Sequence, residues 1–253
     1  MMKVTNYVPT NDWRDLQSHV SNFLNQAGYS AETEKKIDTV RGKVEVDVFV
    51  TSKYEMLKQF ICECKCWNTN VPQEKIHAFR TVVSDSGSML GIFIVKKGYQ
   101  KGAYKAACKS NVLLKTWDEF IAMIEEQWLI RKIIKLNNLI SPLAVYTDPL
   151  DVPLDKLSTQ KLKRYQFLNI DTIGNYITLR NMNMNSKNNE YIEFDGIKFT
   201  AYDDLFKYAE EYIENVKKEF EDIFSGIEIE EYKFEFSVIP LNLTNEIVKI
   251  FYE

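Results

Sequence analysis

Two apolar segments of this chain carry charge in their interiors, and that conflict limits what the chain can fold into. Phe60-Ile-Cys-Glu63-Cys-Lys65-Cys-Trp67 and Val44-Glu45-Val46-Asp47-Val48-Phe49-Val50 both alternate with the two-residue period of a β-strand. Successive side chains of a strand point to opposite faces. Phe60, Cys62, Cys64 and Cys66 therefore share one face of the second segment, and Ile61, Glu63 and Lys65 share the other. A charge inside an apolar strand is costly unless it is paired or binds an ion. Two outcomes follow: an ion pair of Lys65 with Glu63 or Asp47, or a centre that holds a cation.

Glu-x-Lys alone carries little weight, because Glu34-Lys35-Lys36 and Glu231-Tyr232-Lys233 match it too. Context sets Glu63 and Lys65 apart: they close an apolar strand, follow a second strand bearing acids, and precede a turn and a helix. Two carboxylates on adjacent strands can hold a hard cation such as Mg²⁺. An ammonium two residues beyond one of them can orient or deprotonate an attacking water, or neutralise charge on a phosphate. Those are the requirements of phosphodiester hydrolysis, with Asp47, Glu63 and Lys65 as the catalytic set.

The flanking pattern predicts an α/β domain. A helix capped by Thr10 or Asn11 runs to Ala27, its stripe being Trp13, Leu16, Val20, Phe23 and Leu24. A short strand from Tyr29 towards Lys35 and a turn at Arg41-Gly42 precede the two charged strands, which Thr51 to Lys58 joins as a hairpin connection. A helix follows Pro72 to about Val83, then come a strand Leu90–Val95, a short helix Gly102–Cys108 and a strand Val112–Leu114. Thr116-x-x-Glu119 is a capping box opening a further helix. The order predicts a mixed sheet flanked by helices. Apolar periodicity persists through Trp128, Ile133, Ile134 and Ile140, and Pro142, Pro149 and Pro153 then mark a boundary. The expected domains are 1–141 and an α+β domain, 142–253. The second has an Asn-rich loop 181–189, a hairpin turning at Asp195-Gly196, a helix capped by Thr200 reaching about Phe224, and strands between Ile227 and Pro240.

Charge is uneven. Residues 1–125 hold 17 Lys+Arg against 14 Asp+Glu, net +3, and residues 126–253 hold 15 against 22, net −7. The mildly basic first half falls short of a dedicated DNA-coating protein. No apolar run approaches the ~18 residues of a membrane span, and no secretory leader is legible, so a cytoplasmic protein is expected. Cys62, Cys64 and Cys66 on one strand face read as reduced structural thiols, with no CxxC knuckle for zinc.

From Trp13 to Phe120 the chain resembles the Mrr-like branch of restriction endonucleases in the PD-(D/E)xK superfamily. The resemblance lies in the first helix ending at Gly28-Tyr29, in Arg41-Gly-Lys-Val-Glu45-Val-Asp47, and in Glu63-Cys-Lys65-Cys-Trp67. It continues in the helix after Val71, in Gly91-Ile-Phe-Ile-Val95, in Gly102-Ala103 with Ala106-Ala107, and in Leu113-Leu114-x-Thr116-Trp117. It implies a Mg²⁺-dependent endonuclease acting on DNA, Mn²⁺ substituting, in restriction or defence against foreign DNA. Asp47, Glu63 and the Cys64 carbonyl would ligate the metal, and Lys65 would serve the water or phosphate. Many relatives carry an acid on the first helix; Gln17 stands there, with Asp15 nearby. Glu45 reads either as a compensating acid or as a solvated strand-end charge.

Gln73, Lys75 and Arg80 on the helix after the motif are candidate nucleic-acid contacts, as are Lys96, Lys97, Lys101 and Lys105; a solvated basic face is the bland alternative. His77 reads as a helix-surface or packing residue, and Trp67 either as a base-stacking surface or as core. A homodimer suits two cuts in a duplex. The other functions open at this stage are a catalytically inactive nucleic-acid-binding module that keeps the nuclease fold, and a nuclease silenced by its acidic half.

Overall fold

The computed structural model describes residues 2–53, 57–182 and 189–230. Parts of the expected Thr51–Lys58 connection, of the Asn-rich loop and of the Ile227–Pro240 strands lie outside these residues. The chain divides into two compact units, Tyr7–Leu129 and Met1–Asn6 with Ile130–Glu253.

In the first unit, helix α1 (Trp13–Gln26) buries Leu16, Val20, Phe23 and Leu24, the stripe its periodicity predicted. Its cap is Asp12, whose side chain accepts the Arg14 N–H. Thr10 is drawn away from that role: its hydroxyl donates to Asp15 Oδ2 at 3.1 Å. Strands β1 (Ser30–Thr39), β2 (Gly42–Thr51) and β3 (Gln59–Lys65) are antiparallel neighbours. The β1–β2 turn closes at Gly42, whose φ of +115° suits a residue without Cβ. Parallel neighbours need a crossover, and α2 (Gln73–Asp85) and α3 (Lys101–Ala107) supply it, carrying β3 to β4 (Leu90–Val95) and on to β5 (Val112–Thr116). The five strands lie in chain order.

Ile61 joins Ile76, Phe79, Val83, Phe93 and Ala103 in the core beneath α2 and α3. That layer is tight at Gly91, where an added Cβ would fall 2.4 Å from Val83 Cγ2 and 2.7 Å from Phe79 Cε1. Alternation turns Cys62, Cys64 and Cys66 to the opposite face, where all three are buried and free. The Thr116–Glu119 capping box forms as its residues predict: Glu119 Oε2 accepts the Thr116 N–H at 2.7 Å, and Thr116 Oγ1 accepts the Glu119 N–H at 3.3 Å. It opens α4 (Trp117–Ile140). Phe23 on α1 meets Trp117 and Trp128 on α4 at ring separations of 5.8 and 5.5 Å.

The division at 129/130 falls inside α4, ahead of the expected boundary at 141/142. Pro142 sits in a 3-10 turn (Ser141–Leu143) leading into α5 (Ala144–Thr147). The second unit then holds α6 (Thr159–Arg180), a hairpin of β6 (Ile192–Phe194) and β7 (Ile197–Phe199), and α7 (Tyr202–Ile223). Asp195 and Gly196 take φ of 52° and 71°, the paired positive angles the hairpin signal called for. Ala201, not Thr200, is the α7 cap; the Thr200 carbonyl accepts the Lys3 N–H at 3.0 Å, so the chain start fixes the entry to the helix. Tyr146, Tyr165, Phe220 and Phe224 form this unit's aromatic core. Among the described residues no helix is long and apolar enough to cross a membrane.

Candidate active site

The registered β2–β3 ladder ends at Val48–Cys62. One step further along, Asp47 sends its carboxylate sideways, and Oδ2 accepts the Cys64 N–H at 2.8 Å. A side chain stands in for the missing strand carbonyl there, which fixes the carboxylate's orientation. Lys65, on the same strand as Cys64, places Nζ 2.6 Å from Glu63 Oε1 and 3.6 Å from Asp47 Oδ2. The three side chains are 16–26% exposed, so water screens them only in part. The set converges as the alternation predicted.

Burial raises the proton affinity of Glu63, and the neighbouring Asp47 charge adds to it; Lys65 and, more weakly, Lys75 oppose. For Lys65 burial works against the ammonium, but the Glu63 and Asp47 carboxylates outweigh it and hold its pKa above the ordinary value. Lys65 is therefore a cation at neutral pH.

Asp47 and Lys65 open onto a cleft of about 270 Å³ that is also lined by Asn11, Trp13, Cys66 and Trp67. Two carboxylates with no imidazole beside them suit a hard divalent cation. Among the described residues no group of three or more His, Cys, Asp or Glu side chains assembles to hold a metal. A cation here would draw on Asp47, Glu63, a backbone carbonyl and water. The Cys64 carbonyl is the one placed to help. The Lys65 carbonyl accepts from Lys96 on the β4 side, so alternation turns the Cys64 carbonyl towards β2, the side of Asp47.

The supporting residues fall out differently. Gln17 is 3% exposed on α1, and among the described residues its Oε1 has no hydrogen-bond partner. Glu45 is exposed and stands opposite Lys36 across the β1–β2 ladder. Lys75 Nζ lies 5.7 Å from the centroid of the Trp67 ring. Lys97 Nζ donates to the Asn68 carbonyl at 3.0 Å, and Lys96 Nζ to Asn11 Oδ1 at 2.8 Å. Lys101 and Lys105 are exposed on α3. Gln73 lies over Gly102, its Oε1 2.6 Å from where a Cβ there would sit. Arg80 is half-buried and gives Nη1 to the Ala106 carbonyl at 2.8 Å. It closes the last turn of α3, where a cation meets the negative end of the helix. His77 is on the exposed side of α2.

Periodicity alone did not find Asn11, Trp13 and Trp67 as cleft residues. Trp13 reads as part of the α1 stripe, yet it stands in the first turn, where the stripe runs out over the strand ends. Trp67 is 37% exposed; the polar run Asn68-Thr69-Asn70 directly after it is the signal for that exposure.

Comparison with known families agrees with the geometry. The family model Mrr_cat, restriction endonuclease, matches residues 8–124. No curated protein matches the sequence. The crystal structure of a protein of unknown function superposes with a TM-score of 0.40 at 14% identity, over 64% of this chain and 99% of that one, a likeness too slight to bear on function. The matched span takes in the whole five-stranded sheet and the convergent Asp47, Glu63 and Lys65. Residues 8–124 of this chain are a restriction-endonuclease domain of the Mrr type, with the mixed α/β fold of that class.

Proposed function

We propose that the chain is a Mg²⁺-dependent endonuclease that hydrolyses DNA phosphodiester bonds, with Asp47, Glu63 and Lys65 as its reacting centre. The observation that carries this reading is the convergence of the Asp47 and Glu63 carboxylates on the Lys65 ammonium, with Asp47 and Lys65 lining a cleft. Asp47, Glu63 and the Cys64 carbonyl would hold the cation, which supplies Lewis acidity towards the phosphate and a more acidic bound water. In the metal-free protein the Glu63 and Asp47 carboxylates hold the proton on Lys65. Its part is to donate hydrogen bonds to the non-bridging phosphate oxygens and to the attacking water as negative charge develops. The Cys64 N–H fixes the orientation of the Asp47 carboxylate through Oδ2.

A role in restriction or defence, cytoplasmic location and action as a homodimer belong to the same proposal. So does target reading, assembly or regulation by the second unit. The test is cleavage of plasmid and linear DNA, methylated and unmethylated, with Mg²⁺ or Mn²⁺, beside Asp47→Ala and Lys65→Ala. Metal-dependent cutting that both substitutions abolish supports the reading; no cutting under any of these conditions defeats it.

Gln17 favours a second reading. Gln17 is a neutral, buried amide at the position where the resemblance implies an acid, which would leave the centre one carboxylate short, as in a DNA-binding module that has lost catalysis. Salt-dependent DNA binding that survives Asp47→Ala without any cleavage selects that reading.

A further inference from the structure

The cleft beside the reacting centre has aromatic walls as well as charge. Of the four tryptophans in the sequence, Trp117 and Trp128 are 3% and 0% exposed and belong to the core. The other two, Trp13 and Trp67, line the cleft together with Asp47 and Lys65. Each has a cation over its ring: Arg14 Cζ is 4.6 Å from the centroid of Trp13, and Lys75 Nζ is 5.7 Å from that of Trp67. Trp67 follows the Lys65 strand by two residues and is 37% exposed. An indole left open to water exposes apolar surface that packing would otherwise remove. Here it sits where a phosphate held by Lys65 would bring its own nucleotide.

A base within a duplex offers only its edges to a protein; its faces are taken by stacking on its neighbours. A part-exposed indole gains little from a paired base and much from an unpaired one, because every base has a face to stack. Cations bordering the indole then serve the adjacent backbone phosphates without selecting sequence. Resting on the nuclease reading above, we infer that the cleft takes an unpaired nucleotide, its base stacked on Trp67 beside the scissile phosphate. The preferred substrate is accordingly DNA with a single-stranded segment, and Trp67 determines that preference. Lys75 positions the ring and the phosphate next to it.

The experiment measures binding in EDTA, where no cleavage occurs, so it stands apart from the fate of the nuclease reading. The full chain is titrated with a short single-stranded oligonucleotide, a blunt duplex of the same sequence, and that duplex with a single-stranded tail. Anisotropy of a dye on the DNA and tryptophan emission are followed together. The parent is expected to bind the single strand and the tailed duplex more tightly than the blunt duplex, with emission quenched. Trp67→Ala is expected to weaken single-strand binding about 5- to 100-fold, to lose much of the quench, and to weaken blunt-duplex binding much less. Trp67→Phe, which keeps a ring, retains most of the single-strand affinity and guards against a folding defect. Equal losses on all three DNAs, an unchanged affinity in Trp67→Ala, or no preference of the parent for unpaired DNA overturns the proposal. Metal-dependent cleavage without the preference would leave the nuclease standing and this inference refuted; the preference without cleavage would do the reverse.

Discussion

Asp47 Oδ2 takes the backbone N–H of Cys64 at 2.8 Å, one step past the last registered β2–β3 pair. The hydrogen bond gives one carboxylate two duties, holding the strands together where the ladder opens and facing the cleft. Asp47→Asn keeps an acceptor for the Cys64 N–H, whereas Asp47→Ala leaves that group unsatisfied. The alanine variant should lose about 1–2 kcal/mol of stability and the asparagine variant under about 1 kcal/mol. Both should lose metal-dependent cleavage, since a neutral amide is a poor ligand for a hard cation. Urea unfolding beside a cleavage assay separates the duties; an Asp47→Asn protein that still cuts DNA would remove Asp47 from the centre.

Lys65 supplies the positive charge that Glu63 and Asp47 share in the metal-free protein, at 2.6 and 3.6 Å. With Lys65→Met the two carboxylates face each other without a counter-ion. Stability in EDTA should fall by about 1–3 kcal/mol. Added Mg²⁺ should then raise the melting temperature more in the variant than in the parent, while cleavage stays absent. Melting curves across a Mg²⁺ series read this directly. An equal or smaller rise in the variant would show that the ammonium and the metal do not share one site.

The site was legible in the sequence because strand alternation is a rigid rule: Glu63 and Lys65 had to share a face, opposite Cys62, Cys64 and Cys66. The sideways turn of Asp47 was not legible, since it depends on where β2 parts from β3. The far half of β1 was also hidden. Its residues Lys35 to Thr39 are mostly polar because the strand lies at the sheet edge, where neither face needs a continuous apolar run. The division within α4 left no mark, because one helical period runs unbroken through Trp128 and Leu136, both buried. Of the prolines expected to mark a boundary, Pro142 lies in one short 3-10 turn and Pro153 caps another.

Gly91 in β4 lies directly under α2, with Val83 Cγ2 and Phe79 Cε1 where a Cβ would go. Neither can move far, as both side chains are buried in the core. Gly91→Ala should cost about 1–3 kcal/mol. By shifting α2, which carries Lys75, it should also weaken DNA binding. Denaturant unfolding tests the first effect, and wild-type stability in the variant would mean that α2 packs more loosely than these contacts state.

In the second unit, Glu210 accepts Lys135 Nζ at 2.7 Å and Lys132 Nζ at 3.3 Å. Burial alone would raise its pKa, but the two ammonium groups outweigh burial and lower it. A carboxylate with a depressed folded pKa adds stability above its unfolded value of 4.5, and that contribution is lost as pH falls through the folded value. Glu210→Gln should therefore lower stability by about 1–2 kcal/mol at neutral pH, since Lys132, only 8% exposed, loses its counter-charge. The gap between parent and variant should close as pH falls below 4.5 and through the lowered folded value. Unfolding curves at several pH values check the trend, and a gap independent of pH would point to packing.

Gln17 decides between the two functional readings. It is buried on α1, and among the described residues its Oε1 finds no partner, so the position already carries the cost of a polar atom without a hydrogen bond. Gln17→Glu places an acid at the first-helix position where the family resemblance implies one. Without metal, the added carboxylate is buried and unpaired, and stability should fall by about 3 kcal/mol. If α1 faces the metal centre, Mg²⁺ or Mn²⁺ should recover much of that loss and strengthen both metal binding and cleavage, because the new carboxylate joins Asp47 and Glu63 as a ligand. If neither cation restores stability, the α1 position lies away from the centre. Its neutral amide then says nothing against catalysis by Asp47, Glu63 and Lys65, and the case for an inactive binding module loses its motive.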